Sequence, residues 1–346
     1  MMRYKLLVLD IDGTVTNSKK EVTEKTKKAI IELQERGIPV AIASGRPPQG
    51  VYKVAETLEL DRFGSYILPF NGARILNFQT RECVYEKTLP MHLPARLWKD
   101  ALENGIGIIT YEKDEILSGT EPDKYMEIEA KINQLPIVYK KDFGTYVNFP
   151  VNKCLMTGAP QDLEALEPVM ARKYCHEAQV FRSEPFFLEV TPKNVDKAYC
   201  LRHLLEILGI KREEMVCCGD GFNDVSMIQY AGLGVAMANA QERVKEVADY
   251  ITCYDNDHDG IAEVIEKFFY VPRFLKGGTY GITVYFRPFG SREIPLYLQQ
   301  NHTGIHGTSG PLISGAGTGA VYHADPEGTG RNAPAKRHYE YRCPKF

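Results

Sequence analysis

The chain has 346 residues, of which 44% are hydrophobic and 25% are charged, and its formal net charge is -3. This apolar fraction excludes disorder throughout, and an isoelectric point near 6.3 argues against a nucleic-acid binder that depends on bulk positive charge. At roughly 150 residues per domain, the length predicts two domains with well-developed cores.

Cysteine usage and the N-terminal segment bear on the cellular compartment. The eight cysteines are spread along the chain without a CxxC pair, so neither a zinc knuckle nor a dense disulfide framework is indicated. An aspartate at position 10 comes before a signal-peptide core could form, and no apolar run approaches 18 residues. We therefore expect a reduced, cytoplasmic protein with neither a membrane nor a nucleic-acid partner.

Short apolar runs alternate with helical patterns through the first 70 residues, which is typical of βαβ units around a parallel sheet. Continuous apolar runs predict buried strands over residues 5–11, 38–43 and 66–70. Apolar residues at helical spacing predict helices over residues 25–36 and 51–60. This part of the sequence is predicted to be half of a doubly wound α/β core.

The character of the sequence changes between about residues 83 and 184, where Glu and Lys are frequent and apolar residues alternate with polar ones. Helices are predicted over residues 92–103, 121–133 and 162–172, with strands such as GIIT and KCLMT between them. The alternation predicts a sheet that is covered on one side only. We interpret residues 83–184 as an α/β module inserted into the core.

The core pattern resumes at Phe186 and continues to about residue 270. Strands are predicted at MVCCGD, LGVAM and DYITC, and helices over residues 196–208, from Asn223, and over 242–248 and 260–269. Residues 1–82 and 185–270 would together form the core domain. Its sheet is predicted to be parallel and Rossmann-like.

Residues 271–346 read as an irregular extension that is poorly ordered. They hold 12 of the 29 glycines and 7 of the 20 prolines, with one candidate strand or hairpin at 279–289. Residues 1–270 carry 33 basic and 41 acidic side chains, a net charge of -8, whereas the extension carries 9 and 4, a net charge of +5. The near-neutral average therefore combines an acidic body with a basic extension.

The segment LLVLDIDGT places Asp10 and Asp12 at the carboxyl end of the first predicted strand. Alternate residues of a strand face the same side, so both carboxylates project together and repel each other unless a cation or a proton lies between them. Taken alone, DxDG also fits a helix N-cap followed by a turn. The partners elsewhere in the chain decide between these interpretations.

Polar residues of matching chemistry end other predicted strands or begin helices. The SGR segment offers a hydroxyl and flexible amides to a phosphate oxygen, and GDGFND offers two further acids. A lysine begins the helix predicted at 196–208, where the helix dipole is already positive, which implies a nearby anion. Because the carboxyl ends of strands meet in one crevice of a doubly wound sheet, these segments can converge. Carboxylate oxygens suit Mg2+.

The order DIDGT, ASGR, a downstream lysine and GDGFND resembles the four motifs of the haloacid dehalogenase (HAD) superfamily of phosphohydrolases. PFNGA and GDGFNDVSMIQYAGLGVAMANA are similar to its Cof-type branch, subfamily IIB. The resemblance covers roughly residues 4–269. It implies a Rossmann-like core with a C2-type cap domain inserted between Ser44 and Lys197.

The resemblance also implies roles for individual residues of a Mg2+-dependent phosphatase. Asp10 would attack phosphorus and form an aspartyl-phosphate, while Asp12 would protonate the leaving oxygen and then activate water. Mg2+ would be held by the carboxylates of Asp10 and Asp220 and the backbone carbonyl of Asp12. Asp224 would support the ion directly or through water.

The remaining implied roles concern the substrate. Phosphate-binding residues would be Ser44, Gly45, Lys197 and Asn223, and substrate-binding candidates are Arg46, Asn71 and Gly72. The family often has Gly before and after its motif lysine, where this chain has Asn194 and Ala198; Asn tolerates a left-handed backbone. The substrate would be a small phosphorylated metabolite, such as a sugar phosphate, a nucleotide or a cofactor phosphate, because a closing cap excludes bulky phosphates.

Two other functions fit parts of the same residue set. A phosphosugar mutase or phosphotransferase would share the nucleophile and differ in the acceptor. A phosphoacceptor signalling domain would use similar strand-end acids, but it would lack the DxD spacing and an insertion of about one hundred residues. We expect the protein to be a monomer or a weak homo-oligomer.

Overall fold

The computed structural model describes residues 3–270, all of which fall within one compact unit. Its strands are β1 (Leu6–Leu9), β2 (Val40–Ala43), β3 (Tyr66–Leu68), β4 (Arg74–Asn77), β5 (Cys83–Glu86), β6 (Gly107–Glu112), β7 (Glu115–Ser118), β8 (Ile137–Tyr139), β9 (Cys154–Thr157), β10 (Ala178–Glu184), β11 (Phe187–Pro192), β12 (Met215–Gly219), β13 (Leu233–Ala236) and β14 (Tyr250–Ile251). The predictions for 271–346, including the strand or hairpin at 279–289, lie outside the described residues.

Helices connect these strands. They are α1 (Glu24–Glu35), α2 (Pro48–Thr57), α3 (Leu93–Asn104), α4 (Lys124–Asn133), α5 (Phe143–Tyr146), α6 (Pro160–Tyr174), α7 (Lys197–Leu208), α8 (Val225–Tyr230), α9 (Glu242–Lys245) and α10 (Gly260–Phe268). No helix among the described residues is long and apolar enough to cross a membrane.

The predicted doubly wound parallel sheet is confirmed. The first sheet has the order β14-β13-β12-β1-β2-β3-β4-β5, and β14 through β3 are all parallel. From the central pair β1 and β12, the chain winds outward in opposite directions, which creates a topological switch point between them. Every residue of β1 and β12 is buried, as expected for strands that are covered on both faces.

The second sheet is mixed and has the order β10-β11-β9-β6-β7-β8. The prediction that it is covered on one side only is wrong. Ile108 and Met156 pack in a cluster with residues of α3 and α6, while Ile109 and Leu155 pack in another with Met126 of α4. Adjacent strand residues face opposite sides, so consecutive apolar residues in β6 and β9 give the sheet two buried faces.

The chain changes sheets at positions that differ from the predicted insert boundaries. Strand β5 (Cys83–Glu86) pairs with β4 in the first sheet, whereas β11 (Phe187–Pro192) pairs with β10 and β9 in the second. Antiparallel pairing with a sequence neighbour holds each strand in its sheet. We refer to residues 87–192 as the insert, and its separation from the core as an independent domain stays a prediction.

Several helix ends also differ from prediction, for local reasons. Helix α2 begins at Pro48, three residues early, because proline suits the first turn. Helix α4 begins at Lys124 because the Asp123 carboxylate caps it by accepting two backbone N–H bonds. The helix predicted from Asn223 starts as a single 3-10 turn and continues as α8, and α9 is shorter than predicted.

Candidate active site

Three predicted site residues follow neighbouring parallel strands. Asp10 follows β1, Ser44 follows β2, and Asp220 follows β12, so all three lie at the carboxyl edge of the sheet beside the switch point. A cavity of about 490 Å³ opens there. From the core it is lined by Asp10, Asp12, Ser44, Gly45, Arg46, Asn71, Asp220, Gly221, Phe222, Asn223 and Gln241.

Three carboxylates form a cluster beside this cavity, and Asp10 and Asp220 of the cluster line it. Single oxygens of Asp10, Asp220 and Asp224 all lie within 4.8 Å of one another. Thr14 donates a hydrogen bond to Asp220 (2.8 Å), and the backbone N–H groups of Asp220 and Gly221 donate to Asp224 (2.9 Å each). This set of oxygens suits a hard divalent cation, because three acids concentrate more negative charge than the nearby cation offsets.

That nearby cation is Lys197, the first residue of α7. Its ammonium is completely buried and lies 2.6 Å from Asp10 Oδ1 and 2.5 Å from Asp224 Oδ1. Burial acts to lower the pKa of Lys197, but the two carboxylates outweigh it and raise the pKa above its usual value. The anion inferred from the lysine's position at a helix start is therefore this acid pair.

Burial and mutual repulsion change the pKa values of the clustered acids. Burial, and next the charge of Asp224, raises the pKa of Asp10 well above its usual range, and Lys197 offsets only part of this effect. Burial likewise raises the pKa of Asp220 from 3.8 to about 6, opposed by the hydrogen bond from Thr14. A bound cation would lower the pKa values of both groups, because it stabilises the ionised carboxylates.

Asp12 lies beside this cluster, and its carboxylate is not part of it. Arg46 binds the carboxylate with two N–H groups (2.9 and 2.6 Å), and Lys20 donates to it at 2.8 Å. Burial acts to raise the pKa of Asp12, but these two cations outweigh it and lower the pKa. The partnership of Asp12 with Arg46 and Lys20 was not expected from the sequence.

Most of the other predicted phosphate and substrate residues line the cavity. Ser44 is buried, and its Oγ accepts the backbone N–H of Arg46. Asn223 donates to the side-chain oxygen of Asn71 (3.1 Å), and a side chain at Gly45 would press on that same Asn71. The motifs ASGR, PFNGA and GDGFND are thus joined by direct contacts.

Gly72 is placed differently from its predicted substrate-binding role. It lies outside the cavity lining, at a φ of +91°, and a Cβ there would collide with Cys200 of α7. Position 72 is therefore glycine because the turn packs closely on α7. Asn194 adopts a φ of +59°, which accounts for asparagine at the departure from the family pattern.

Sequence reasoning missed four buried polar residues that the insert brings to the cavity. They are Glu129 and Asn133 of α4, Lys153 just before β9, and Glu189 within β11. The Lys153 ammonium lies 3.4 Å from both Glu189 Oε1 and the backbone carbonyl oxygen of Gly45. One feature of the sequence could have indicated Glu189, which is an isolated acid in the apolar run FFLEV. Acids are rarely buried in a strand without a partner, so a partner for Glu189 could have been expected.

Comparison with known proteins agrees with the motifs and the fold. The sequence profile of the haloacid dehalogenase-like hydrolases matches residues 7–265. The chain is 29% identical to 5-amino-6-(5-phospho-D-ribitylamino)uracil phosphatase YcsE of Bacillus subtilis (strain 168), over 76% of this chain and 95% of that protein.

Solved structures show the same relationship. A haloacid dehalogenase-like hydrolase from Bacteroides thetaiotaomicron superposes with a TM-score of 0.74 at 45% identity, covering 77% of this chain and all of that one. The HAD subclass IIB sugar phosphatase BT4131 gives a TM-score of 0.65 at 26% identity, over 76% and 98% of the two chains.

The doubly wound sheet with clustered acids at its switch point defines a phosphoryl-transfer enzyme of the α/β class. The chain belongs to the haloacid dehalogenase-like hydrolases, and within that family it is a phosphatase of the Cof type, subclass IIB.

Proposed function

We propose that the protein is a Mg2+-dependent phosphomonoesterase that hydrolyses a small phosphorylated metabolite through an aspartyl-phosphate on Asp10. The observation that carries the proposal is the contact between Asp10 and Lys197 (2.6 Å) inside a cluster of three acids at the switch point. A candidate carboxylate nucleophile, a buried cation and a candidate metal site thus lie in direct contact at the switch point, and phosphoryl transfer uses such a set.

The residues present fit a magnesium ion. The candidate ligands are oxygens only, and the raised pKa values of Asp10 and Asp220 show carboxylates that lack enough positive charge. Asp10, Asp220 and Asp224 would hold the ion, together with the backbone carbonyl of Asp12. When bound, Mg2+ would neutralise charge on the transferring phosphoryl group.

In the proposed reaction, an Asp10 oxygen forms a bond to phosphorus as the bond to the leaving oxygen breaks. Asp12 gives its proton to the leaving oxygen, and then takes a proton from the water that attacks the aspartyl-phosphate. Inorganic phosphate departs and Asp10 is regenerated. Arg46 and Lys20 stabilise the ionised form of Asp12, so their hydrogen bonds to its carboxylate must weaken before Asp12 can act as an acid.

Other side chains would bind the phosphate without changing bonds. Lys197, the Ser44 hydroxyl, the Gly45 amide and the Asn223 amide would hold phosphoryl oxygens, since positioning and charge neutralisation supply most of the catalysis in such reactions. Arg46 and Asn71 would lie next to the leaving group. Cytoplasmic location and a monomeric or weakly associated state complete the proposal.

The two alternative functions are not favoured. The relatives compared above are hydrolases and phosphatases, which supports water as the acceptor over a second sugar. A phosphoacceptor switch would have no use for the large insert that lines the cavity with buried polar side chains.

Asp10→Asn tests the proposal. We expect turnover of p-nitrophenyl phosphate with Mg2+ to fall about a thousandfold or more, because an amide is a far weaker nucleophile than a carboxylate. Asp61→Asn, which alters an exposed aspartate, is the matched control and should keep full activity. EDTA should abolish the wild-type rate and excess Mg2+ should restore it. Retained turnover by Asp10→Asn would exclude Asp10 as the nucleophile.

A further inference from the structure

The loop that follows Asp12 lies against the acid cluster, and we call residues 13–16 the acid loop. Thr14 of this loop is buried, and its hydroxyl donates a hydrogen bond to Asp220 (2.8 Å). The backbone carbonyl of Asp12, another candidate ligand of the metal ion, leads directly into the loop. The placement of two candidate ligands therefore depends on the path of these four residues.

Two asparagines from the other end of the described chain hold the acid loop. Asn239 donates from Nδ2 to the backbone carbonyl of Gly13 (2.8 Å), and Asn256 donates from Nδ2 to the backbone carbonyl of Thr16 (2.9 Å). The backbone N–H of Asn256 in turn donates to Asn239 Oδ1 (3.1 Å). The connected pair thus fixes a backbone carbonyl on each side of Thr14.

The turn that carries one of these asparagines has the sequence DNDHDG, at residues 255–260. Alternating acids before a glycine also occur in calcium-binding loops. Here Asp257 accepts hydrogen bonds from the backbone N–H and the hydroxyl of Ser18 (2.8 and 2.7 Å), and Asp259 accepts from two threonine hydroxyls at the start of α1. Within the described part of the chain, no group of three metal-ligating side chains forms at this turn. Its acids instead anchor the residues that follow the acid loop.

The two asparagines lie outside the catalytic cavity and near the surface. Neither lines the cavity, and Asn239 is exposed while Asn256 is half-buried. Hydrogen bonds at such positions add little to the stability of a protein, because water can replace either partner. Their removal should therefore leave the fold intact, and an effect on the metal site can be measured separately from an effect on folding.

We propose that Asn239 and Asn256 are positioning residues for the metal site: they hold the acid loop so that Thr14 keeps Asp220 in place to bind Mg2+. They contact neither the ion nor the substrate. This inference rests on the proposed Mg2+-dependent function, and it adds the residues that place the ligands of the ion.

Titration with Mg2+ alone, followed by differential scanning fluorimetry, gives an apparent Kd without a substrate. The variants are Asn239→Ala and Asn256→Ala. Asn104→Ala is the matched control, because Asn104 is also exposed and donates to a backbone carbonyl at 2.8 Å, but lies on α3. We expect the Kd of Mg2+ to rise about fivefold or more in the two variants and to stay unchanged in the control.

Kinetics with p-nitrophenyl phosphate provide a second measurement. At limiting Mg2+ the two variants should be less active than wild type, whereas at saturating Mg2+ their kcat and KM should return to within about twofold of wild type. A general loss of folded protein would lower kcat equally at both Mg2+ concentrations, and this result would overturn the inference.

A double-mutant cycle tests whether the asparagines act through Thr14. Thr14→Val removes the hydroxyl that donates to Asp220 and keeps the shape of the side chain. Asn239→Ala should then raise the Kd of Mg2+ by less than about twofold in the Thr14→Val background. Equal rises in both backgrounds, or a wild-type Kd in the single asparagine variants, would overturn the inference and leave the phosphatase proposal intact. A wild type that neither binds nor requires Mg2+ would overturn both.

Discussion

Gly13, in the turn between Asp12 and Thr14, is held against the acid cluster. Its φ is +79°, and a Cβ at this position would collide with the carboxylate of Asp220. Gly37 has an almost identical φ of +81°, but a Cβ there would meet no atom within 4 Å. The pair separates two effects of glycine: tolerance of a left-handed backbone and close approach to a functional group.

We therefore expect Gly13→Ala to abolish Mg2+-dependent activity, because Asp220 must move to admit the methyl group. Gly37→Ala should cost about 1 kcal/mol of stability from backbone strain alone and leave kcat unchanged. Thermal melts and p-nitrophenyl phosphate assays of both variants check this. An active Gly13→Ala would mean that Asp220 can shift without loss of the site.

The raised pKa of Asp220 predicts how the metal-free protein responds to pH. Burial raises this pKa from 3.8 to about 6, so the folded state disfavours the charged form and stability is lost as pH rises through about 6. Mg2+ reverses the penalty by binding the ionised carboxylate. The gain in Tm on adding Mg2+ should thus be larger at pH 8 than at pH 5.

Differential scanning fluorimetry with EDTA or with excess Mg2+ at the two pH values measures this gain. Asp220→Asn should reduce the pH dependence of the gain, and the raised pKa of Asp10 accounts for the part that remains. Equal gains at pH 5 and pH 8 in the wild type would contradict the prediction.

At the scale of single residues, sequence reasoning identified the site residues that end buried strands but not those inside the insert. Asp10, Ser44 and Asp220 each follow a run of apolar residues, so their position at one sheet edge followed from topology alone. Lys153 and Glu189 meet because β9 and β11, which are distant in sequence, pair as neighbours in the second sheet. No spacing along the chain encodes that contact, and the same holds for Lys20 and Arg46 around Asp12.

Helix α7 is the element that delivers the buried lysine to the acids. Asp196 caps it by accepting the backbone N–H of Tyr199 (2.7 Å), and Lys197 is its first residue. The N-cap therefore fixes where the lysine enters the site. Gly209, with a φ of +63°, ends the helix after three turns.

Asp196→Ala should lower stability by about 1 kcal/mol and also reduce kcat, because fraying of the first turn displaces Lys197. The control is Asp123→Ala, which removes the cap of α4. It should cost at least as much stability, since Asp123 accepts two backbone N–H bonds, but it should affect kcat less. Matching falls in kcat for the two variants would show that the effect is general destabilisation.

Elements in the core were easier to predict than those in the insert because their hydrophobic pattern was continuous. Strands β1, β2 and β12 are buried on both faces, and each appears in the sequence as an unbroken apolar run. In the insert, sheet coverage depends on α4 packing against the second face. The polar character of that helix, whose exposed side carries most of its charge, concealed this packing.

At the scale of the whole molecule, the last described helix, α10, and the residue that follows it pack on the start of the described chain. Phe269 is buried, and the rings of Phe268 and Phe269 pack on Tyr4 with centroid distances of 6.5 and 5.9 Å. The family profile also ends at residue 265. The order of elements and the doubly wound topology could thus be predicted from the sequence up to about residue 270.

A chain that ends at Tyr270 should fold and keep its activity. A chain that ends at Lys267 should melt at a lower temperature, because it loses both phenylalanines that pack on Tyr4. Circular dichroism melts and phosphatase assays of the two truncated chains, compared with full length, provide the measurement. An insoluble or inactive 1–270 chain would refute the prediction.

The hydrogen bond between Thr14 and Asp220 joins residues that are 206 positions apart. During synthesis, the ribosome therefore releases Asp10, Asp12 and Ser44 long before Asp220 and Lys197 exist to meet them. Until β12 emerges, β1 is an unpaired strand edge of an incomplete sheet, open to contacts with other chains. The nascent protein therefore lacks the complete acid cluster until Asp224 has been made, late in the synthesis of the described residues 3–270.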